Sequence, residues 1–96
     1  MALWSVYMIE TRCETLYTGV STDVSRRFAE HESGGAKCAR YLRGKQPLAL
    51  VWQQAGMSKK LALKVEYRIK RLPRIMKDRI VSGQVTLSEV FPELFN

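Results

Sequence analysis

Two stretches rich in β-branched and aromatic residues, Trp4–Glu10 and Thr15–Val20, stand only four polar residues apart near the start of this chain. That separation suits an antiparallel hairpin turning over Thr11–Glu14, because parallel strands need a crossover of about a dozen residues. A register in which paired residue numbers sum to 24 sets Tyr7 opposite Tyr17, with Cβ atoms about 5 Å apart. A hairpin alone is marginally stable in water, so the rest of the chain must cover it.

Thr22-Asp23 is a helix-start signal, and Val24–Glu32 follows in helical spacing until Ser33-Gly34-Gly35 ends it. Val24 and Phe28 share one face of this helix at i, i+4, and Arg27 and His31 share the adjoining face. Ala36–Gln46 reads as a basic loop around Tyr41, and Leu48–Gln54 after Pro47 as a third strand, buried on both faces. Ser58 caps the longest helix, Lys59 to Leu72, whose core stripe is Leu61, Val65, Ile69 and Leu72, with Glu66 on its shoulder. Pro73 suits the first turn of a further helix that runs to about Val81 and stops at Gly83. Thr86-Leu-Ser-Glu89 is a capping box opening a short last helix. The pattern predicts an α/β (α+β) fold, a small three-stranded antiparallel sheet flanked by helices, in a single domain over residues 1–96.

Composition narrows the function. The 96 residues carry 16 Lys+Arg against 9 Asp+Glu, a net charge of +7. Residues 1–35 and 80–96 are each net −2, whereas 36–79 hold seven lysines and six arginines against Glu66 and Asp78. A basic middle segment predicts a polyanionic partner, whether nucleic acid, an anionic membrane surface or an acidic protein, and charge alone does not choose among them. The longest apolar run, Leu48–Trp52, is far below the ~20 residues of a membrane helix. Met1-Ala2-Leu3-Trp4 lacks a basic n-region, so a cytoplasmic protein is expected. Cys13 and Cys38 make neither a disulfide framework nor, with His31, a zinc spacing, and read as plain thiols.

The candidate chemistry centres on a few residues. Glu66 is the only carboxylate between Ser33 and Lys77, an interval with twelve Lys/Arg. It is either an ion-pair partner of Lys59, Lys70 or Lys37, or the hard-oxygen ligand of a divalent cation. Tyr7 and Tyr17 are either core aromatics with wet hydroxyls or groups that position or deprotonate a water. Arg27 is either part of a solvated face or a phosphate clamp, and His31 either structural or a proton donor or acceptor. Tyr41 and Tyr67 offer less, since neither has such a partner.

Taken in order, these residues resemble the GIY-YIG nuclease family. Ser5-Val6-Tyr7 and Tyr17-Thr18-Gly19 look like its two signatures, Asp23–His31 like its helix motif, and Ala62–Leu72 like its metal-binding helix. The resemblance covers roughly residues 3–82, leaving 83–96 as a short helical tail, and is strongest to the small stand-alone bacterial members of the UPF0213 type, which share a Gly35-Ala36-Lys37-like loop. It implies a Mg²⁺- or Mn²⁺-dependent endonuclease acting on DNA, with RNA as a further substrate. Structure rather than sequence would direct it, with DNA repair or recombination as its setting. The implied catalytic residues are Tyr7, Tyr17, Arg27, His31 and Glu66, with Glu66 holding the metal. Arg26, Lys37, Arg40, Arg43, Lys45, Lys59 and Lys70 are expected to contact the nucleic acid, as a monomer or weak dimer, with room for a protein partner. Many family nucleases carry an asparagine after the metal-binding helix; the only asparagine of this chain is Asn96. That difference motivates the alternative, a nucleic-acid-binding module of the same fold with weak or no turnover.

Overall fold

The computed structural model describes residues 2–95; Met1, part of the N-terminal reading above, and Asn96 lie outside the described residues. Strands β1 (Trp4–Glu10), β2 (Leu16–Ser21) and β3 (Ala49–Met57) form an antiparallel sheet of order β2-β1-β3. Helix α1 (Val24–Ser33) follows the hairpin, and α2 (Lys59–Lys70), α3 (Arg74–Val81) and α4 (Leu87–Val90) follow β3. This is the expected three-stranded α+β architecture.

Local chemistry sets the element ends. The Asp23 carboxylate accepts from the Arg26 N–H and the Ser58 hydroxyl from the Leu61 N–H, each satisfying a free donor of a first helical turn. Gly34, at φ 68°, closes α1 in the left-handed conformation that glycine adopts without strain. Thr86 and Glu89 complete the expected capping box. Pro73 stands just outside α3, at its N-cap, and α2 ends at Lys70, two residues before the expected Leu72.

The central strand is β1, and its side chains alternate between two cores. Val6 and Met8 face α2, α3 and α4, in a cluster with Met57, Ala62, Val65, Ile69, Ile80, Leu87 and Phe91. Tyr7 and Ile9 face α1 and the basic loop, in a cluster with Val24, Cys38, Leu42 and Leu48. Each fully buried Val or Ile here contributes about 1.5–3 kcal/mol. Arg74 braces the hairpin against α3: it donates to the Glu14 carbonyl (2.7 Å) and to Asp78 (2.8 Å).

Four expectations need correction. The third strand is not buried on both faces: β3 is an edge strand, reaching Met57, and only Met57 among its residues is buried. The doubly buried strand is β1, which lies at the centre of the sheet with α2, α3 and α4 packed on one face and α1 and the basic loop on the other. The stripe of α2 is Ala62, Val65 and Ile69, with Leu61 and Leu72 packed at its margin. The hairpin register also differs. Tyr7 pairs with Gly19 and Ile9 with Tyr17, so paired numbers sum to 26. The turn is longer than expected. Thr11 N–H donates to the Thr15 carbonyl (2.9 Å), the two threonine hydroxyls lie 2.7 Å apart, and Glu14 takes a φ of 64°.

Candidate active site

A register shift of two leaves every side chain on its original face. Tyr7 and Tyr17 therefore remain neighbours, now diagonal, with ring centroids 6.5 Å apart. The residue opposite Tyr7 is the important change. A Cβ on Gly19 would lie 2.5 Å from the Tyr7 hydroxyl and 2.6 Å from its ring carbon, so the phenol lies flat across β2 where only glycine leaves room. The Tyr-Thr-Gly signature thus has a packing reason: the first strand's tyrosine crosses the second strand's glycine.

Beyond Gly19 the Tyr7 hydroxyl meets α1. Its oxygen lies 2.9 Å from His31 Nε2, and the Ala39 N–H donates to His31 Nδ1 (3.1 Å). Since Nδ1 accepts, the neutral imidazole carries its proton on Nε2 and donates it to the Tyr7 oxygen. The Tyr7 O–H then remains available to a further acceptor. His31 has no exposed surface and both ring nitrogens are engaged, so it touches the site through Tyr7. Burial, then the Arg27 charge, lowers the His31 pKa and keeps the ring neutral. Burial raises the Tyr7 pKa, as do the neighbouring Tyr17 and Glu66, against an opposing pull from Arg27. Burial also raises that of Tyr17, against Lys70 and Arg27.

Arg27 stands one turn before His31, its side chain 30% exposed. It donates to the Glu30 carboxylate (3.0 Å) and to the Lys37 carbonyl (2.6 Å), which aims its guanidinium before any ligand arrives. The hydrogen bond from Arg27 holds the Glu30 carboxyl below its ordinary pKa. Glu30 is a positioning residue absent from the sequence reading, although its i, i+3 spacing to Arg27 was the available signal.

Glu66 and Lys70 come from α2 on the other side. Their side chains form an i, i+4 ion pair at 3.2 Å, one of the partnerships expected for this carboxylate. The Glu66 charge adds to the rise in the pKa of both phenols. Among the described residues no three His, Cys, Asp or Glu side chains converge. A lone hard-oxygen donor with waters and phosphate oxygens is nonetheless how Mg²⁺ is commonly bound. Glu66 fits that mode, and His31, with both nitrogens engaged, does not serve as a ligand.

Beside Tyr17 opens a cleft of about 320 Å³ lined by Leu16, Tyr17, Thr18, Tyr41, Lys70 and Lys77. Tyr41, discounted from the sequence, folds back from the loop and stacks on Tyr17 at 6.1 Å between centroids, with Lys45 Nζ 3.3 Å over its ring. No local spacing signals that contact, because the loop's path makes it. Of the expected basic residues, Lys70 lines the cleft and Lys45 covers Tyr41 at its edge. Lys37 is 78% exposed near Glu30, Arg43 donates to the Ala36 carbonyl, and Arg26 and Arg40 are exposed. Lys59 stands apart, 5.5 Å over the Trp4 ring and about 10 Å along α2 from Glu66. Lys77, which the sequence reading left out, takes a place in the cleft.

Comparison with known proteins identifies the family. A GIY-YIG catalytic domain model matches residues 3–78. A UPF0213 protein of Aeromonas salmonicida is 50% identical over 78 residues, which are 81% of this chain and 56% of that protein. The UPF0213 protein YhbQ of Escherichia coli is 42% identical over 94 residues, covering 98% of this chain and 92% of the relative. The chain thus spans little more than half of the Aeromonas relative and nearly all of the Escherichia one. The solution NMR structure of a UPF0213 protein from Bacillus halodurans, 40% identical, superimposes over 91% of this chain and 90% of that one with a TM-score of 0.55. With Tyr7 lying across Gly19 in the paired strands of its two signatures, and most of its length matched, this chain belongs to the GIY-YIG family, in company with the UPF0213 proteins.

Proposed function

We propose that this protein is a metal-dependent endonuclease that hydrolyses DNA phosphodiester bonds, directed by DNA structure rather than sequence. Repair or recombination in the cytoplasm would be its setting. The observation that carries this reading is the Tyr7 phenol, held over Gly19 and hydrogen-bonded by His31, on the centre where the charges of Arg27 and Glu66 act.

In this reading Arg27, pre-aimed by Glu30, takes the scissile phosphate through its remaining N–H donors. Tyr7 or Tyr17 orients the attacking water and accepts its proton as the water oxygen bonds to phosphorus and the bond to the leaving oxygen breaks. A tyrosine ionises near pH 10 when free, and burial raises both phenols further. The base role therefore depends on positive charge from this chain's own residues, Arg27 on both phenols and Lys70 on Tyr17. His31 donates to the Tyr7 oxygen and so favours its anionic form, a positioning role rather than direct proton transfer to substrate. Glu66 would hold a Mg²⁺ or Mn²⁺ ion, which when bound supplies charge stabilisation at the phosphate and leaving oxygen. Lys70 and Lys77 flank the cleft and are suited to neighbouring phosphates, while Tyr41 offers a ring to a base or sugar.

The test is nicking of supercoiled or branched DNA with Mg²⁺ or Mn²⁺. Glu66→Ala is expected to lower the rate by about a hundredfold or more, the scale of losing one electrostatic stabiliser, and EDTA to abolish it. Equal activity of wild type and Glu66→Ala, or activity in EDTA, would overturn the reading. The ion pair between Glu66 and Lys70 favours a second reading, a binding module without turnover. Its outcome would be salt-dependent DNA binding with no nicking, and a slope of log K against log salt of about −0.9 per neutralised phosphate.

A further inference from the structure

On the side of α2 turned away from the sheet, Leu63 and Tyr67 are 44% and 59% exposed. With Lys64, Arg68 and Leu94 they line an open groove of about 470 Å³ between α2 and the 3-10 turn Pro92–Leu94. A smaller hollow of about 280 Å³ continues it past Lys64 and Leu94 to Lys60 and Ser58. Scattered exposed apolar side chains need no explanation, but contiguous ones rimmed by charge mark interaction surfaces.

The rim is basic. Among the described residues no carboxylate forms an ion pair with Lys60, Lys64 or Arg71. The Arg71 guanidinium lies 5.2 Å over the Tyr67 ring, which holds its donors ready beside the groove. The chain's own tail shows what this face accepts. Glu93 binds Arg68 at 2.6 Å, and the next residue, Leu94, sets its side chain into the groove wall. A carboxylate followed by an apolar side chain is thus already seated at one end.

We propose that the groove docks a short acidic segment of another protein that carries a large apolar anchor. Leu63, Tyr67 and Leu94 would hold the anchor, while Lys60, Lys64 and Arg71 meet the carboxylates. A sugar-phosphate backbone would satisfy the basic rim but leaves the leucines without a partner, which favours a peptide over nucleic acid. None of these residues belongs to the set around Tyr7, so docking leaves that centre open.

The probe is a fluorescein-labelled peptide of consecutive aspartates followed by leucine and phenylalanine, titrated with the full chain and read by anisotropy. Saturable binding is expected, with amide NMR shifts confined to residues 60–71 and 92–94. Tyr67→Glu and Arg71→Glu should each weaken binding by about tenfold or more, in line with loss of an interface anchor, while Tyr41→Ala leaves it unchanged. Thermal melting of each variant separates lost docking from lost folding. Absence of binding by wild type would overturn the proposal. Equal binding of a peptide with serines in place of leucine and phenylalanine would also overturn it, since charge alone would then explain the affinity. So would displacement of the peptide by a DNA oligonucleotide whose own binding needs Tyr67 and Arg71, because the face would then be a nucleic-acid surface.

Discussion

Neighbouring residues of β1 look into two differently built cores. Val6 and Met8 meet an apolar layer from α2, α3 and α4; Tyr7 and Ile9 meet a layer that includes a phenol, an imidazole and a thiol. All four side chains are 0–1% exposed, so burial does not separate the two faces. What separates them is what their buried atoms require. The Val6 face asks for matched volume, and a similar apolar shape would serve. The Tyr7 face holds polar atoms that must keep named partners: His31 on Tyr7, Ala39 on His31, and Gln46, whose amide donates to the His31 carbonyl. One face can lose stability without losing chemistry, and the other can lose chemistry while staying folded.

The largest expected effect lies on the apolar face. Leu87 is 1% exposed in that core, although it belongs to the tail beyond the matched family segment. Leu87→Ala should destabilise the fold by about 2–5 kcal/mol, the range for deleting a buried leucine, while the nicking rate per folded molecule stays at wild-type level. Urea unfolding beside an activity assay measures both. A change under about 0.5 kcal/mol would show that the tail covers the sheet without supporting it.

Gly19→Ala tests the other face. The added methyl carbon would sit 2.5 Å from the Tyr7 hydroxyl, and the other near atoms also belong to that ring, so the phenol must shift. A displaced phenol breaks the His31 contact. The expected result is a loss of nicking by about a hundredfold, the scale on which a misplaced catalytic group acts, with a smaller change in unfolding midpoint than Leu87→Ala. Full activity in this variant would mean that the position of the Tyr7 hydroxyl does not matter, and the contrast between the faces would fail.

The hairpin, the helix starts and the capping box were legible because each depends on neighbours in the chain: Asp23 on Arg26, Ser58 on Leu61, Thr86 on Glu89. Tyr7, Tyr17, Arg27, His31 and Glu66 stand out as candidates through their order along the chain. What the sequence did not reveal depends on tertiary path. Strand order decides that β1 rather than β3 is central, and it is set by pairing between strands far apart in the chain. The register turned on Thr11 and Glu14 making a longer turn, and that placed a glycine, not a tyrosine, opposite Tyr7. Tyr41 reaches Tyr17 only because the loop folds back over it.

The smallest effect concerns pH, and it too separates the faces. Burial lowers the His31 pKa below its ordinary 6.5. The unfolded chain then binds more protons than the native one as pH falls through 6.5, so stability declines on the acid side. Burial raises Tyr7, and with it Tyr17, above their ordinary 10.0. On that side the unfolded phenols ionise first, so stability declines again as pH rises past about 10. Both groups keep the Tyr7 face neutral, and the apolar face contributes nothing to either slope. Urea midpoints from pH 5 to 11 should therefore form a plateau with two shoulders. His31→Gln should flatten the acid shoulder between about pH 5 and 6.5 while leaving the alkaline one, and Tyr7→Phe should reduce the alkaline one. Carboxylates such as Glu30, held below their ordinary 4.5, act only at lower pH and lie outside that window. An acid shoulder unchanged in His31→Gln would mean that the imidazole is not held neutral in the native protein, and its assigned role as a donor to Tyr7 would fall with it.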